Sequence, residues 1–338
     1  MTASTLAALL APAVVAWIVI RAAMATRFAE RVADRPNERS LHASPRPRVG
    51  GIGIMIGALP VAAWLGADAT TRIVLACAAA LSLVSAADDA RSLPVAVRLG
   101  AHFVAAALAV HFLAAGAAWG VWGAIAAVLA IAWMTNLYNF MDGSDGLAGG
   151  MAVIGFGTFA YAAFGASATG LALACAAIAS ASAGFLALNF PPARVFMGDA
   201  GSVPLGFLAG ALGVQGALAG AWPFWFPILV FSPFIVDATV TLARRIVRRE
   251  PFWRAHRSHY YQRLVLSGWS HRRVALGGYA VMCAGAATAL AGADAGFLLQ
   301  CGIIVVWAAA WLSLVVAVER HLRRAGNGVT GAPGRSTG

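Results

Sequence analysis

The chain contains no lysine, so its 24 basic residues are all arginine. Acids are scarcer still, at 13, and charged residues make up only 11% of the 338 positions. A soluble globular chain carries about 25% charged and about 45–50% apolar residues. Here 61% are hydrophobic, which excludes that class. Disorder is excluded too, because it needs low hydrophobicity and high charge. A net charge of +11 would suit a nucleic-acid partner. Too few polar residues remain, however, to build a solvated basic face, so no nucleic acid is expected. Cysteine is also rare. Cys77, Cys175, Cys283 and Cys301 include no CxxC pair and read as small buried hydrophobes. What is left is a membrane protein with most of its length in lipid.

A helix needs about 20 apolar residues to cross a bilayer. Charge-free windows predict one span each at Met1–Ile20, Gly50–Ala67 and Ile73–Ala87, the last one short. Leu99–Met141 predicts two spans turning at Gly116–Gly120. Gly146–Ala193 predicts two more, turning near Gly165–Gly170. Ala200–Ala243 predicts two turning around Gly216–Pro223, and Val274–Ala293 and Ala295–Val318 give the last two. The expected fold is all-α and polytopic, with about 11 transmembrane helices. Residues 1–320 form a single transmembrane domain, followed by a basic, flexible tail at 321–338. The N-terminus lacks a basic segment before its apolar run, so it reads as a retained span and not a signal peptide.

Arginine placement sets the orientation. With the N-terminus outside and the C-terminus cytoplasmic, the inner segments hold 23 of the 24 arginines, and Arg72 alone lies outside. The same parity gathers Asp88, Asp89, Asp142, Asp145 and Asp199 at the inner face. Carboxylates crowded together repel one another unless a cation joins them. An oxygen-only donor set suits Mg²⁺, which keeps waters and bridges to substrate phosphates.

The segment Asn136-xx-Asn139-xx-Asp142 repeats polar side chains every third residue, which places them on one helical stripe. Around Asn189 and Asp199, Pro191 and Pro192 stop a span, and Gly198 and Gly201 flank the acid. The largest inner loop carries His256, Arg257, His259 and Gln262, and the two histidines are expected to share a helical face. A zinc site there lacks further ligands. Contact with phosphate or sugar fits better, and a basic loop lying on lipid headgroups is the plainer alternative. The first inner loop brings His42, Arg46 and Arg48 before Gly50-Gly51. Gly53 and Gly57, four residues apart, read as close helix packing. Asp237, deep in a span, reads equally as a structural partner for a neighbouring helix or as a direct participant.

Together these motifs resemble the polyprenyl-phosphate N-acetylhexosamine-1-phosphate transferase superfamily, glycosyltransferase family 4. The carriers are His42…Pro45-Arg-Pro-Arg-Val-Gly-Gly51, Asp88-Asp89, Asn136-xx-Asn139-xx-Asp142-Gly-xx-Asp145-Gly146 and Phe196-Met-Gly-Asp199-Ala-Gly-Ser202. A fifth, His256-Arg-Ser-His259-Tyr-Tyr-Gln262-Arg-Leu, looks like the sugar-nucleotide loop of members that start O-antigen synthesis. The resemblance implies a bacterial inner-membrane enzyme with its site on the cytoplasmic face. A UDP-N-acetylhexosamine would give its sugar-1-phosphate to undecaprenyl phosphate and release UMP. Asn139 and Asp199 would be ligands for Mg²⁺, or for Mn²⁺ in its place. Asp88 would act on the lipid phosphate as base or nucleophile, with Asp89 beside it. Asp142 and Asp145 would shape the uridine and metal site. His256, Arg257 and His259 would hold the pyrophosphate and sugar, with His42, Arg46, Arg48, Asn136, Asn189 and Gln262 as further substrate contacts. A homodimer is a further expectation.

Two departures are visible. Relatives often place lysine after the paired aspartates, where this chain offers Arg98, a bidentate rather than point-charge phosphate group. Arg257 and Ser258 separate histidines that run consecutively in the phospho-MurNAc-pentapeptide transferase, which argues against that donor. A secondary transporter would place ionisable groups near the bilayer midplane, often within inverted repeats. Only Asp237 favours that reading. A non-catalytic scaffold would not need five aspartates on one face.

Overall fold

The structure is a computed structural model that describes residues 3–34, 45–65, 68–251 and 256–329. It is an all-helical bundle with one two-residue ribbon. Helix α1 (Ala3–Met24) leads through α2 (Arg27–Arg31) to β1 (Ala33–Asp34), which pairs antiparallel with β2 (Arg46–Pro47). Then come α3 (Gly50–Trp64), α4 (Ala69–Arg91), α5 (Val95–Phe112), α6 (Ala115–Phe140), α7 (Leu147–Gly165), α8 (Thr169–Asn189) and α9 (Asp199–Leu218). The chain closes with α10 (Trp225–Val230), α11 (Ser232–Val247), α12 (Tyr260–Leu266), α13 (His271–Gly292) and α14 (Phe297–Val329).

Eight helices among the described residues are long and apolar enough to cross a membrane: α4 to α9, α13 and α14. Leu9–Met24 of α1 and the whole of α3 are apolar but shorter. The chain is a multi-pass membrane protein.

Several boundaries differ from the sequence reading. Asp88 and Asp89 lie inside α4, not in a loop after it. The charge-free window ended early because a helix can carry polar side chains out past the apolar layer. Helix α4 is also capped at its start, where Asp68 accepts from the Thr71 N–H at 2.6 Å. The break between α5 and α6 falls at Leu113-Ala114, with a second non-helical residue at Gly120 (φ 71°). The span after Pro223 is broken at Phe231 into α10 and α11, just before Pro233. Helix α14 continues past Arg320 to Val329. Of the four cysteines, Cys77 and Cys175 are buried, Cys283 is exposed and Cys301 is intermediate. The two outer ones therefore depart from the buried expectation.

Helix α9 is the central post, packed against α3, α4 and α6, and most of its residues are buried. It crosses α3 backbone to backbone. A Cβ at Gly201 would collide with the Gly51 Cα, and one at Gly51 would collide with the Gly201 backbone nitrogen. Gly53 and Gly57 do the same for α3 on α1, against Ile20 and the Pro12 carbonyl. This is the close packing their spacing predicts. Helix α14, in contrast, lies on the rim with its apolar side chains largely exposed, as lipid contact permits.

Candidate active site

The polar residues converge at one end of the bundle. Backbone bonds tie the segments together there. Gly50 N donates to Phe196 O at 3.0 Å, Gly51 N to Met197 O at 2.8 Å, and Phe196 N to Pro47 O at 2.9 Å. The loop bearing Arg48 is thus stitched to the loop that leads into Asp199 at the start of α9. Arg48 donates to Asp34 at 2.6 Å and lies 3.6 Å from Asp89. Gly198 is left-handed (φ 73°), and a Cβ there would come within 3.2 Å of Asp89 Oδ2. Only glycine allows that approach without strain.

The paired aspartates are not equivalent. Asp88 is fully engaged. Its Oδ1 accepts from the Leu93 N–H at 2.6 Å, and its Oδ2 pairs with Arg98 at 3.0 Å. Asp89 Oδ2 is buried and has no hydrogen-bond partner. Buried polar atoms are rarely left this way unless a ligand, ion or water meets them.

Asn139 faces Asp199 within hydrogen-bonding contact, and Asn139 Oδ1 accepts from Ser202 at 2.6 Å. Asp142 follows just after α6. Its carboxyl is pushed well above the ordinary carboxylate range, first by burial and then by Asp199, while Arg48 opposes the shift and Asp89 adds to it. Asp89, Asp142 and Asp199 therefore form one mutually repelling group, and Asp88 acts on it as well.

Among the described residues, no three His, Cys, Asp or Glu side chains stand close enough to enclose a metal ion. Mg²⁺ does not require such a cage. It is usually held by one or two carboxylates, with waters and substrate phosphates completing the octahedron. The all-oxygen donors, their mutual repulsion and the orphaned Asp89 oxygen fit that ion.

Asp145 sits beside this group in a different role. Its Oδ2 accepts from the Ala193 N–H at 3.0 Å, and His271 lies 4.0 Å away. Ser144 Oγ also meets His271 Nδ1, at 2.9 Å. Asn189 uses both ends of its amide on backbone: Oδ1 accepts from Gly146 N at 2.8 Å, and Nδ2 donates to Val195 O at 2.9 Å. Asn136 bonds the Ala132 carbonyl at 2.7 Å and lies beside His102. Arg46 stands in β2, and His42 lies outside the described residues.

The histidine segment departs from the helical expectation. His256 and His259 precede α12, with His259 as its N-cap. Their rings are 5.1 Å apart, but not on a common helix face. Asp237 holds this segment. It accepts from Tyr260 N at 2.9 Å, Tyr261 N at 3.1 Å and Thr241 Oγ1 at 3.2 Å, and lies 3.1 Å from His259 Nδ1. Its partners are therefore the N-cap and first turn of the neighbouring helix α12, which is the structural role the sequence left open. Tyr261 OH reaches across to Phe140 O at 2.9 Å, which docks the segment on the end of α6. Gln262 accepts from His259 N at 3.3 Å. Arg257 is exposed. Burial lowers His256 to about 4, helped by His259, Arg245 and Arg244 against Asp237.

The glycosyl transferase family 4 model matches residues 71–217. A probable undecaprenyl-phosphate N-acetylglucosaminyl 1-phosphate transferase of Bacillus subtilis is 32% identical over 300 residues, covering 84% of this chain and 80% of that one. This chain belongs to glycosyl transferase family 4. A decaprenyl-phosphate N-acetylglucosaminephosphotransferase of Mycobacterium leprae is 28% identical over 71% of this chain and 72% of its own. A phospho-N-acetylmuramoyl-pentapeptide-transferase of Geobacillus kaustophilus is 27% identical over 75% of this chain and 86% of its own. The family match spans the carboxylate group from Asp88 to Asp199 and ends before α10. The residues gripping the histidine segment lie beyond it. Sequence reasoning missed Asp34, Ser202 and His271 as site neighbours. Ser202 stood inside a quoted motif, whereas no local signal marked the other two.

Proposed function

We propose that this family 4 enzyme moves N-acetylhexosamine-1-phosphate from a UDP-sugar to undecaprenyl phosphate. In this reading the chain spans the bacterial inner membrane about eleven times, with α10 and α11 as one broken span. The N-terminus is outside and the site is cytoplasmic. The observation that carries the reading is the contrast between a fully bonded Asp88 and an orphaned Asp89 oxygen, set among carboxylates and arginines.

Both substrates are anionic, so their approach needs positive charge before phosphoryl transfer can begin. Arg98, ion-paired to Asp88, and Arg48, beside Asp89, are placed to receive phosphate oxygens. Asp89 Oδ2 is the atom free to accept a proton from the acceptor phosphate. That assigns the basic role to the second aspartate of the pair instead of the first. An acceptor phosphate oxygen bonds to the β-phosphorus of the donor as the bond to the bridging oxygen breaks, and UMP leaves with that oxygen. Asn139 and Asp199, with Asp142 beside them, would hold Mg²⁺. The ion would supply charge neutralisation of the transferring phosphoryl group. Asn189 and Asp145 hold the two flanking loops in register, while His256 and His259 face the donor's sugar and pyrophosphate.

Names of relatives that act on N-acetylglucosamine support a simple N-acetylhexosamine donor for the initiating step of a surface polysaccharide. The separation of the two histidines by Arg257 and Ser258 speaks against a pentapeptide-bearing donor. The test is a donor panel. Purified protein, Mg²⁺ and undecaprenyl phosphate are incubated with UDP-GlcNAc, UDP-GalNAc, UDP-QuiNAc or UDP-FucNAc. UMP release from one of them is expected, and release from none overturns the reading.

A further inference from the structure

The carboxylate of Glu319, on the rim helix α14, reaches two arginines at once. Arg263 binds it through both nitrogens, Nη1 to Oε1 at 2.6 Å and Nη2 to Oε2 at 3.0 Å. Arg244 Nη1 reaches the same Oε1 at 2.7 Å. Those arginines belong to different elements, α12 and the end of α11. They flank one ring, standing 5.3 Å and 5.4 Å from the centre of Tyr260. Arg244 spends its other nitrogen on the Ser258 carbonyl at 2.8 Å, inside the histidine segment.

We propose that Glu319 is a positioning residue that sets the 256–262 segment for the nucleotide-sugar donor. The proposal rests on the role given to that segment above. An ordinary surface ion pair, screened by water, would organise nothing. This one differs in geometry. One carboxylate joins three elements, and it is the counter-charge that lets two guanidiniums face the same ring. Without it they repel, and the cheapest relief is for Arg244 to release Ser258. Asp237, Arg245 and the Tyr261–Phe140 bond would then hold the segment without its Arg244 link to the Ser258 carbonyl. Helix α14 makes few other contacts with the bundle. It is therefore not needed as core, and its polar end is engaged through Glu319 and, two residues on, through His321, which accepts from Trp269 Nε1 at 3.1 Å.

The experiment compares wild type, Glu319→Gln and Glu319→Asp in nanodiscs, by donor and acceptor kinetics and by hydrogen–deuterium exchange. Glu319→Gln is expected to raise KM for the UDP-sugar by about tenfold, the size of one lost charge-assisted hydrogen bond. Acceptor KM and kcat should stay within about twofold. Exchange should rise across 256–266 and not across 199–218. Glu319→Asp should recover part of both effects. An unchanged donor KM, or a loss shared equally with acceptor KM and kcat, overturns the proposal. If Glu319→Gln does not fold, Arg263→Gln breaks the bidentate half alone and must shift donor KM the same way. A wild type that releases no UMP from any donor defeats the transferase reading. In that case unchanged exchange at 256–266 in Glu319→Gln still overturns the clasp.

Discussion

Asp237 Oδ1 lies 3.1 Å from His259 Nδ1 while the same carboxylate accepts the Tyr260 and Tyr261 amides. A carboxylate in that place favours the Nδ1–H tautomer, which leaves Nε2 as the acceptor nitrogen. Asp237→Asn offers an amide NH₂ that can favour the opposite tautomer. A rise in donor KM of about tenfold is expected, because the segment that holds the donor loses an oriented imidazole. The check is UMP release by Asp237→Asn in protein whose thermal midpoint matches wild type. An unchanged donor KM would remove His259 from donor binding.

The inequality of Asp88 and Asp89 predicts different kinetic signatures. Asp89→Asn removes the free basic oxygen and should lower kcat by about 10²–10⁴-fold with acceptor KM little changed. Asp88→Asn keeps an acceptor for Leu93 N but loses the ion pair to Arg98. It should act mainly on acceptor KM. Steady-state kinetics with varied undecaprenyl phosphate separates the two, and identical signatures would refute the assignment.

The crossing of α3 and α9 predicts a stability defect that needs no lost substrate contact. Gly201→Ala forces a methyl against the Gly51 backbone, which cannot move aside as a side chain would. Overpacking of this kind costs about 1–3 kcal/mol. The detergent-purified variant should melt at a lower temperature than wild type, whereas Gly157→Ala, which meets open space, should not.

His256 predicts a pH effect. Its folded value of about 4 lies below the ordinary histidine range, so the unfolded chain takes up the proton first as pH falls. The stability contributed by neutral His256 is complete above about pH 6.5 and is lost as pH drops toward 4. His256→Gln should flatten that part of the pH dependence of the thermal midpoint. An unchanged slope between pH 7 and 4.5 would show that another group is responsible.

Much of this was legible in the sequence, for identifiable reasons. Lipid forces apolar runs, so the long helices show as charge-free windows. The scarcity of polar residues makes Asp88, Asn139 and Asp199 conspicuous. The boundaries were less legible, because a charge inside a window truncates it even where the helix continues, as in α4. Pairings between distant segments were not legible at all. Nothing near Glu319 announces Arg244, 75 residues earlier. Nothing near Asp237 announces that two backbone amides more than 20 residues on will point at it. Those contacts exist only once the helices are assembled.

The Asn189 amide bridges Gly146 and Val195, two loops that carry Asp142 and Asp199 on their far sides. One side chain thus ties those loops to each other. The repulsion between the two carboxylates is incurred when the chain folds, not at each turnover. If the site takes the cation proposed above, the binding energy of that ion need not go toward gathering its donors.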